Sequence, residues 1–243
     1  ADGYAARGMV RVWGFAPKEQ ALADLKKAAD LAPNSAMHVA FYGIGLARSG
    51  RYREAIAKIE DGSELNPVCP SMKVGGMALT AIGGRQPEKA LREARQAHGF
   101  EATFVPTRFV EGLALLLLDR PEECAALDLH DFPGVKAMCL ASSGKRDEAE
   151  ALIAHERAEI DAGKCPTPMH AGNIVLYDAW KGDAESTSLW LGKAFEVSPS
   201  AVDFRLFDSA LFDKVRGDAR FQEALRGVTE RVRSRVFDPP KRA

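Results

Sequence analysis

The stretch GRYREAIAKIEDGSELNP, residues 50–67, sets Ile56, Ile59 and Leu65 on one stripe among charged neighbours and then stops at Pro67. That is the pattern of an amphipathic helix with a single buried side. A similar phrase, KEQALADLKKAADLAPN, lies upstream and closes in the same way at Pro33. No segment alternates apolar and polar residues over the length of a strand, so the pattern predicts helices and no sheet.

The two phrases align at a fixed interval. Ala21 pairs with Ala55, Leu31 with Leu65 and Pro33 with Pro67, each pair 34 residues apart. GRQPEKALREARQA places Ala90 at the same position 35 residues after Ala55, and DRPEECAALDL places Cys124 there after another 34. GKRDEAEALIAHERA gives Ala149 after only 25, and KGDAESTSLWLGKAFEVSP restores the closing proline at Pro199. A period in this range marks a repeat of helical hairpins, none of which can bury its apolar face alone.

The repeat resembles the tetratricopeptide repeat (TPR), a 34-residue helix–turn–helix unit, over most of the chain. In residues 36–67, Gly43 stands for the small residue of the first helix, followed by Leu46 on the same face. Gly50 and Tyr52 stand for the turn, Ala55 for the small residue of the second helix, and Pro67 for its end. Ala78, Gly112 and Ala137 recur at the Gly43 position, while the sixth copy has Val175. Small residues are needed there because helices that cross closely leave no room beyond a methyl group. The expected fold is therefore all-α: a right-handed solenoid of about six hairpins over residues 1–200. Pro133 and Gly134 interrupt it, giving an irregular stretch near residues 128–134. Residues 201–243 do not repeat. Their Phe221, Leu225, Val228, Val232 and Val236 form one helical stripe, with Asp218 placed to cap it, and should cover the last hairpin. LFDKVRGDARFQEAL also resembles the segment that closes TPR arrays in bacterial multidomain regulators, behind a winged-helix DNA-binding, nucleotide-cyclase or kinase domain.

Charge changes this picture little. The chain of 243 residues is 46% hydrophobic and 28% charged with a formal net charge of −1, which argues against nucleic acid or an anionic membrane as a partner. Residues 214–243 are basic, with nine Lys/Arg against four acids, a composition expected of a solvated helix face. No apolar run approaches a membrane span. The cysteines Cys69, Cys124, Cys139 and Cys165 form no CxxC pair and are expected as reduced thiols in a cytoplasmic protein. The chain starts at Ala1 without a leader-like pattern; it reads as an excised piece of a longer protein, or else as a processed chain.

Candidate chemistry is sparse. KVGGMALTAIGGR lacks the Lys-Ser/Thr of a phosphate loop, so Gly75 and Gly76 read as close helix contacts and Gly83 and Gly84 as a turn. GIGLARSG follows no strand and fails as a dinucleotide fingerprint. Cys165 with His170, and His130 with Asp128 and Asp131, have no second ligand pair for zinc. Ser142 and Ser143 read as turn residues, His155 and Arg157 as a solvated face, and Glu122, Glu123, Asp147 and Glu148 as acids complementing helix N-termini. No enzyme activity, cofactor or metal is expected.

The family resemblance implies recognition of a protein or peptide, as the interaction or sensory module of a larger bacterial regulator. The alternative is a small-molecule effector module controlling an attached domain. In the family, ligands lie in a groove lined by the first helix of each hairpin. The register places Val10, Trp13, Met37, Ala40, Ile44 and Arg48 there, then Met72, Leu79 and Ile82. Phe109, Leu113, Leu116 and Leu117 follow, and the sixth copy adds Met169, Leu176 and Trp180. Ala40 and Ile44 stand where copies that clamp an acidic tail place Lys and Asn. An apolar groove with adaptable Met side chains suits an amphipathic helix or another domain of the same chain. The same residues could instead fill the solenoid's own core.

Overall fold

The computed structural model describes residues 1–101, 103–164 and 167–238, and every regular element among them is helical. The helices come in consecutive pairs: α1 (Asp2–Trp13) with α2 (Lys18–Leu31), and α3 (Ala36–Arg48) with α4 (Tyr52–Leu65). A π-helix (Met72–Ala78) continuing into α5 (Leu79–Gly83) then pairs with α6 (Pro87–Phe100). α7 (Pro106–Leu117) meets the short α8 (Pro121–Ala125), where Cys124 Sγ approaches the Gly112 carbonyl at 3.4 Å. α9 (Pro133–Ser142) pairs with α10 (Arg146–Asp161), and α11 (Pro168–Lys181) with α12 (Ala184–Val197). Two 3₁₀ turns (Leu206–Asp208, Ala210–Phe212), α13 (Asp213–Arg216) and α14 (Ala219–Phe237) complete the chain.

Each pair is joined by the same turn. Phe15, Gly50, Arg85, Asp119, Gly144 and Gly182 all have positive φ, at intervals of 35, 35, 34, 25 and 38 residues. In each case the amide of the left-handed residue bonds the carbonyl three back, and the next amide bonds the carbonyl five back: Gly50 N–H to Ala47 and Arg51 N–H to Leu46, Asp119 N–H to Leu116 and Arg120 N–H to Leu115. This closure satisfies the last carbonyls of the first helix. Glycine meets the left-handed requirement at no cost in three turns, whereas Phe15, Arg85 and Asp119 carry it against their own side chains.

Seven residues before the left-handed position stand Gly8, Gly43, Ala78, Gly112, Ala137 and Val175. A Cβ at Gly8 would lie 2.5 Å from Leu25, one at Gly43 2.5 Å from Ile59, and one at Gly112 2.7 Å from Val135. The small residues therefore mark close crossings of neighbouring helices. The matching residues of the second helices, Ala55, Ala90, Cys124, Ala149 and Thr187, are all fully buried. As the sequence suggests, α2, α4 and α12 end two residues before Pro33, Pro67 and Pro199, and α8 is cut to five residues.

The chain divides into two compact units, one of residues 1–107 with 229–243 and the other of residues 108–228. Within the first, α1 packs on α3 and α3 on the π-helix, with α2 and α4 against the next first helix. Leu46, Ala47 and Ala55 form one core cluster with Leu22, Tyr42 and Tyr52; Ile56, Ile59 and Met77 form another with Met72. Within the second unit, α9 packs on α11, and Phe207, Phe212 and Phe221 stack after the last pair at centroid distances of 5.2–6.4 Å. Phe221 thus seals the end of the second unit, with Asp218 accepting from the Arg220 amide at 2.8 Å as the cap of α14.

Three expectations need correction. Cys124 and Cys139 are not free thiols: they form a disulfide between α8 and α9, with Cα atoms 5.4 Å apart. Shortening α8 brings the small-residue position of one pair against the first helix of the next, and cysteine occupies both places. Cys69 is free, and Cys165 lies outside the described residues. Gly75 is not a close helix contact, because nothing lies within 4 Å of the Cβ it lacks; Gly76 meets Ile59 at an ordinary 3.4 Å. Arg157 does not belong to a solvated face: its Nη2 lies 2.5 Å from the buried Asp178 carboxylate and 3.0 Å from Ser186 Oγ.

Candidate partner-binding face

The register residues divide by depth. In the first unit, Ala40, Ile44 and Ile82 are buried between neighbouring helices, while Val10 and Met37 are half exposed to solvent, at 52% and 50%. Trp13, Met72 and Leu79 are partly covered. Arg48 is also partly covered, its guanidinium 5.2 Å from the centre of the Phe15 ring. Gly75, with open space around the Cβ it lacks, lies in the π-helix three residues after Met72 and four before Leu79. The helix that carries Met72 and Leu79 thus has a gap in its side-chain cover between them.

The second unit is more closed. Phe109, Leu113 and Leu176 are buried, Leu116, Leu117 and Trp180 are partly covered, and Met169 is exposed. Lys214 lies over the Trp180 ring at 5.4 Å. Gly134 and Gly172, at the positions equivalent to Ala40, have the backbone of Asn173 and of Ala201 laid against them, where a Cβ would overlap carbonyl oxygens. Neighbouring backbone fills these positions, so no apolar notch like that at Gly75 remains there.

Electrostatics add structural links rather than a reactive centre. Asp24, nearly buried on α2, accepts from both Arg7 and Arg11 of α1; the Arg7 hydrogen bond leads in holding its carboxyl below the ordinary range. Asp178 is pushed up by burial even though Ser186 and Arg157 both serve it. Tyr177 donates to Glu150 at 2.9 Å, and its hydroxyl is likewise pushed up by burial. His130 sits between Asp128 (2.9 Å) and Asp131 (3.2 Å); the Asp128 hydrogen bond leads in raising its pKa, and all three groups are exposed. His38, which no sequence pattern singles out, is buried with Asp2 Oδ1 3.0 Å from Nε2. Among the described residues no cluster of His, Cys, Asp and Glu has the arrangement of a metal site, and no helix is long and apolar enough to cross a membrane.

A cleft of about 750 Å³ lies elsewhere in the first unit, between α2, α3 and α4, over Ala29, Val39, Tyr42 and Leu65. Two of its rim acids are already paired, Asp30 with Lys26 at 2.8 Å and Asp61 with Lys58 at 2.6 Å. Comparison with protein-family models returns no match, and neither does comparison with curated proteins.

Proposed function

We propose that the chain is a TPR-like α-solenoid whose first-helix face binds the apolar side of an amphipathic helix, without catalysis, as the interaction or sensory module of a larger bacterial regulatory protein. The recurring left-handed turn, with glycine or alanine seven positions before it in five of six cases, supports the repeat reading. One observation carries the binding reading: Val10 and Met37 of the first helices are half exposed, and Met72 and Leu79 are only partly covered, with open space at Gly75 between these last two in the chain. Flexible Met side chains can adapt to a knob inserted at that notch. A cytoplasmic setting is part of the proposal but loses the support of reduced thiols, since two of the four are bonded.

The small-molecule alternative draws on the cleft over Val39 and Tyr42, whose volume falls in the range of ligand sites. Two of its three rim carboxylates, Asp30 and Asp61, are engaged by lysines, which leaves Glu64 as the remaining acid to orient a ligand, so the peptide reading is preferred.

The test uses a fluorescent helical peptide with leucines along one side and balanced Lys and Glu on the other. Met37→Lys and Leu79→Lys should each weaken its binding by roughly tenfold, about 1.4 kcal/mol, with helicity and melting retained. Unchanged affinity in folded variants would remove this face from consideration.

A further inference from the structure

Gly14 ends α1, and the side chain it lacks has been replaced by a ring from the far end of the chain. A Cβ there would lie 2.8 Å from Phe237 Cε2 and 2.8 Å from the Val10 carbonyl oxygen. The ring therefore rests against the last turn of α1, where the Gly14 amide bonds Val10 O at 2.8 Å. Val10 lies one turn before Gly14 on the same side of α1, and Trp13 precedes it directly. Both are residues of the apolar face described above.

We propose that the last turns of α14 are a detachable strap that occupies the α1 end of the partner-binding face. This rests on the peptide-binding reading and adds its regulation. The seat exists because glycine at position 14 leaves the space the ring fills. The hold is shallow. Of residues 229–237 only Val232 is buried, and Val236 and Phe237 remain 38% exposed. Arg231, Arg233 and Arg235 are exposed within little more than one turn, and like charges this close repel. Segments with little buried apolar surface open at low free energy, well below global unfolding. A helix that binds across Val10 and extends over Gly14 displaces Phe237, so strap and partner compete for the α1 end.

The experiment compares the full chain with Phe237→Ala, which removes the ring, and Gly14→Val, which fills its seat. Amide exchange is read along the chain, and binding of the leucine-faced peptide is measured on the same samples. Both variants should lose protection at residues 229–237 while α3 and α4 keep theirs, and both should bind the peptide several-fold more tightly. Protection unchanged in Phe237→Ala would overturn the strap. Protection lost with affinity unchanged would overturn the competition while leaving the binding face intact. A peptide that binds no form of the chain would overturn the binding face and the regulation built on it.

Discussion

Replacing Gly43 by alanine tests the close crossing of α3 and α4 directly. The added methyl would lie 2.5 Å from Ile59 Cγ1 and 2.9 Å from the Ala55 carbonyl oxygen. Carbon atoms settle at about 3.5–4.0 Å, so the methyl is short of room by about 1 Å. One obstructing atom is backbone, and the other belongs to a fully buried isoleucine, so relief requires the two helices to part. Overpacking of this kind costs about 1–3 kcal/mol, against about 1 kcal/mol gained from alanine's better helix propensity. The net expectation is a loss of about 1 kcal/mol. Gly192, inside α12 with nothing within 4 Å, supplies the contrast: Gly192→Ala should stabilise by about 1 kcal/mol. Urea denaturation followed by circular dichroism reads both. In an Ile59→Ala background Gly43→Ala should become favourable, a coupling of about 1–2 kcal/mol. If Gly43→Ala stabilises as much as Gly192→Ala, the helices do not approach closely and the small-residue argument fails.

Two further outcomes are expected. Denatured, unreduced protein should expose two titratable thiols of its four cysteines, and Cys139→Ser should lower stability by about 3 kcal/mol, as expected for a bridge across 15 residues; four free thiols would contradict the disulfide. Asp218, held down to about 2 by the Arg220 side chain and by the amides of Arg220 and Phe221, stabilises the fold above the ordinary carboxylate range, and that contribution fades as pH falls toward 2. Asp218→Asn should remove this acid-limb dependence, and an NMR titration midpoint near 3.8 for the native carboxyl would refute the cap.

The sequence revealed the hairpins because their constraint is local: a small residue where helices cross, and a proline closing the first, second and sixth units. It did not reveal the left-handed residues Phe15, Arg85 and Asp119, since none is a residue that favours that conformation. The Cys124–Cys139 bond was equally hidden, because a 15-residue spacing is no motif and only the shortened α8 aligns the two positions. For the binding face, periodicity located the helix side but not its depth. Ala40 and Ile44 lie on the predicted side and are buried because adjacent first helices crowd together, a tertiary effect that a single repeat does not encode. The stripe through Phe221 and Val232 was legible, but Phe237 and its seat at Gly14 were not, because more than 200 residues separate them.

That separation also sets an order of events during synthesis. Residues 1–107 are translated well before residues 229–243, yet both belong to one unit. At about 5–20 residues per second, the 121 intervening residues take about 6–24 s to translate. Throughout that interval the nascent first unit lacks the Phe237 ring at Gly14. An apolar helix nearby, including one emerging from the same ribosome, meets this end of α1 before residues 229–237 do. A newborn chain therefore passes through a stage in which the Gly14 seat is open to other rings, a stage that ends when Phe237 arrives.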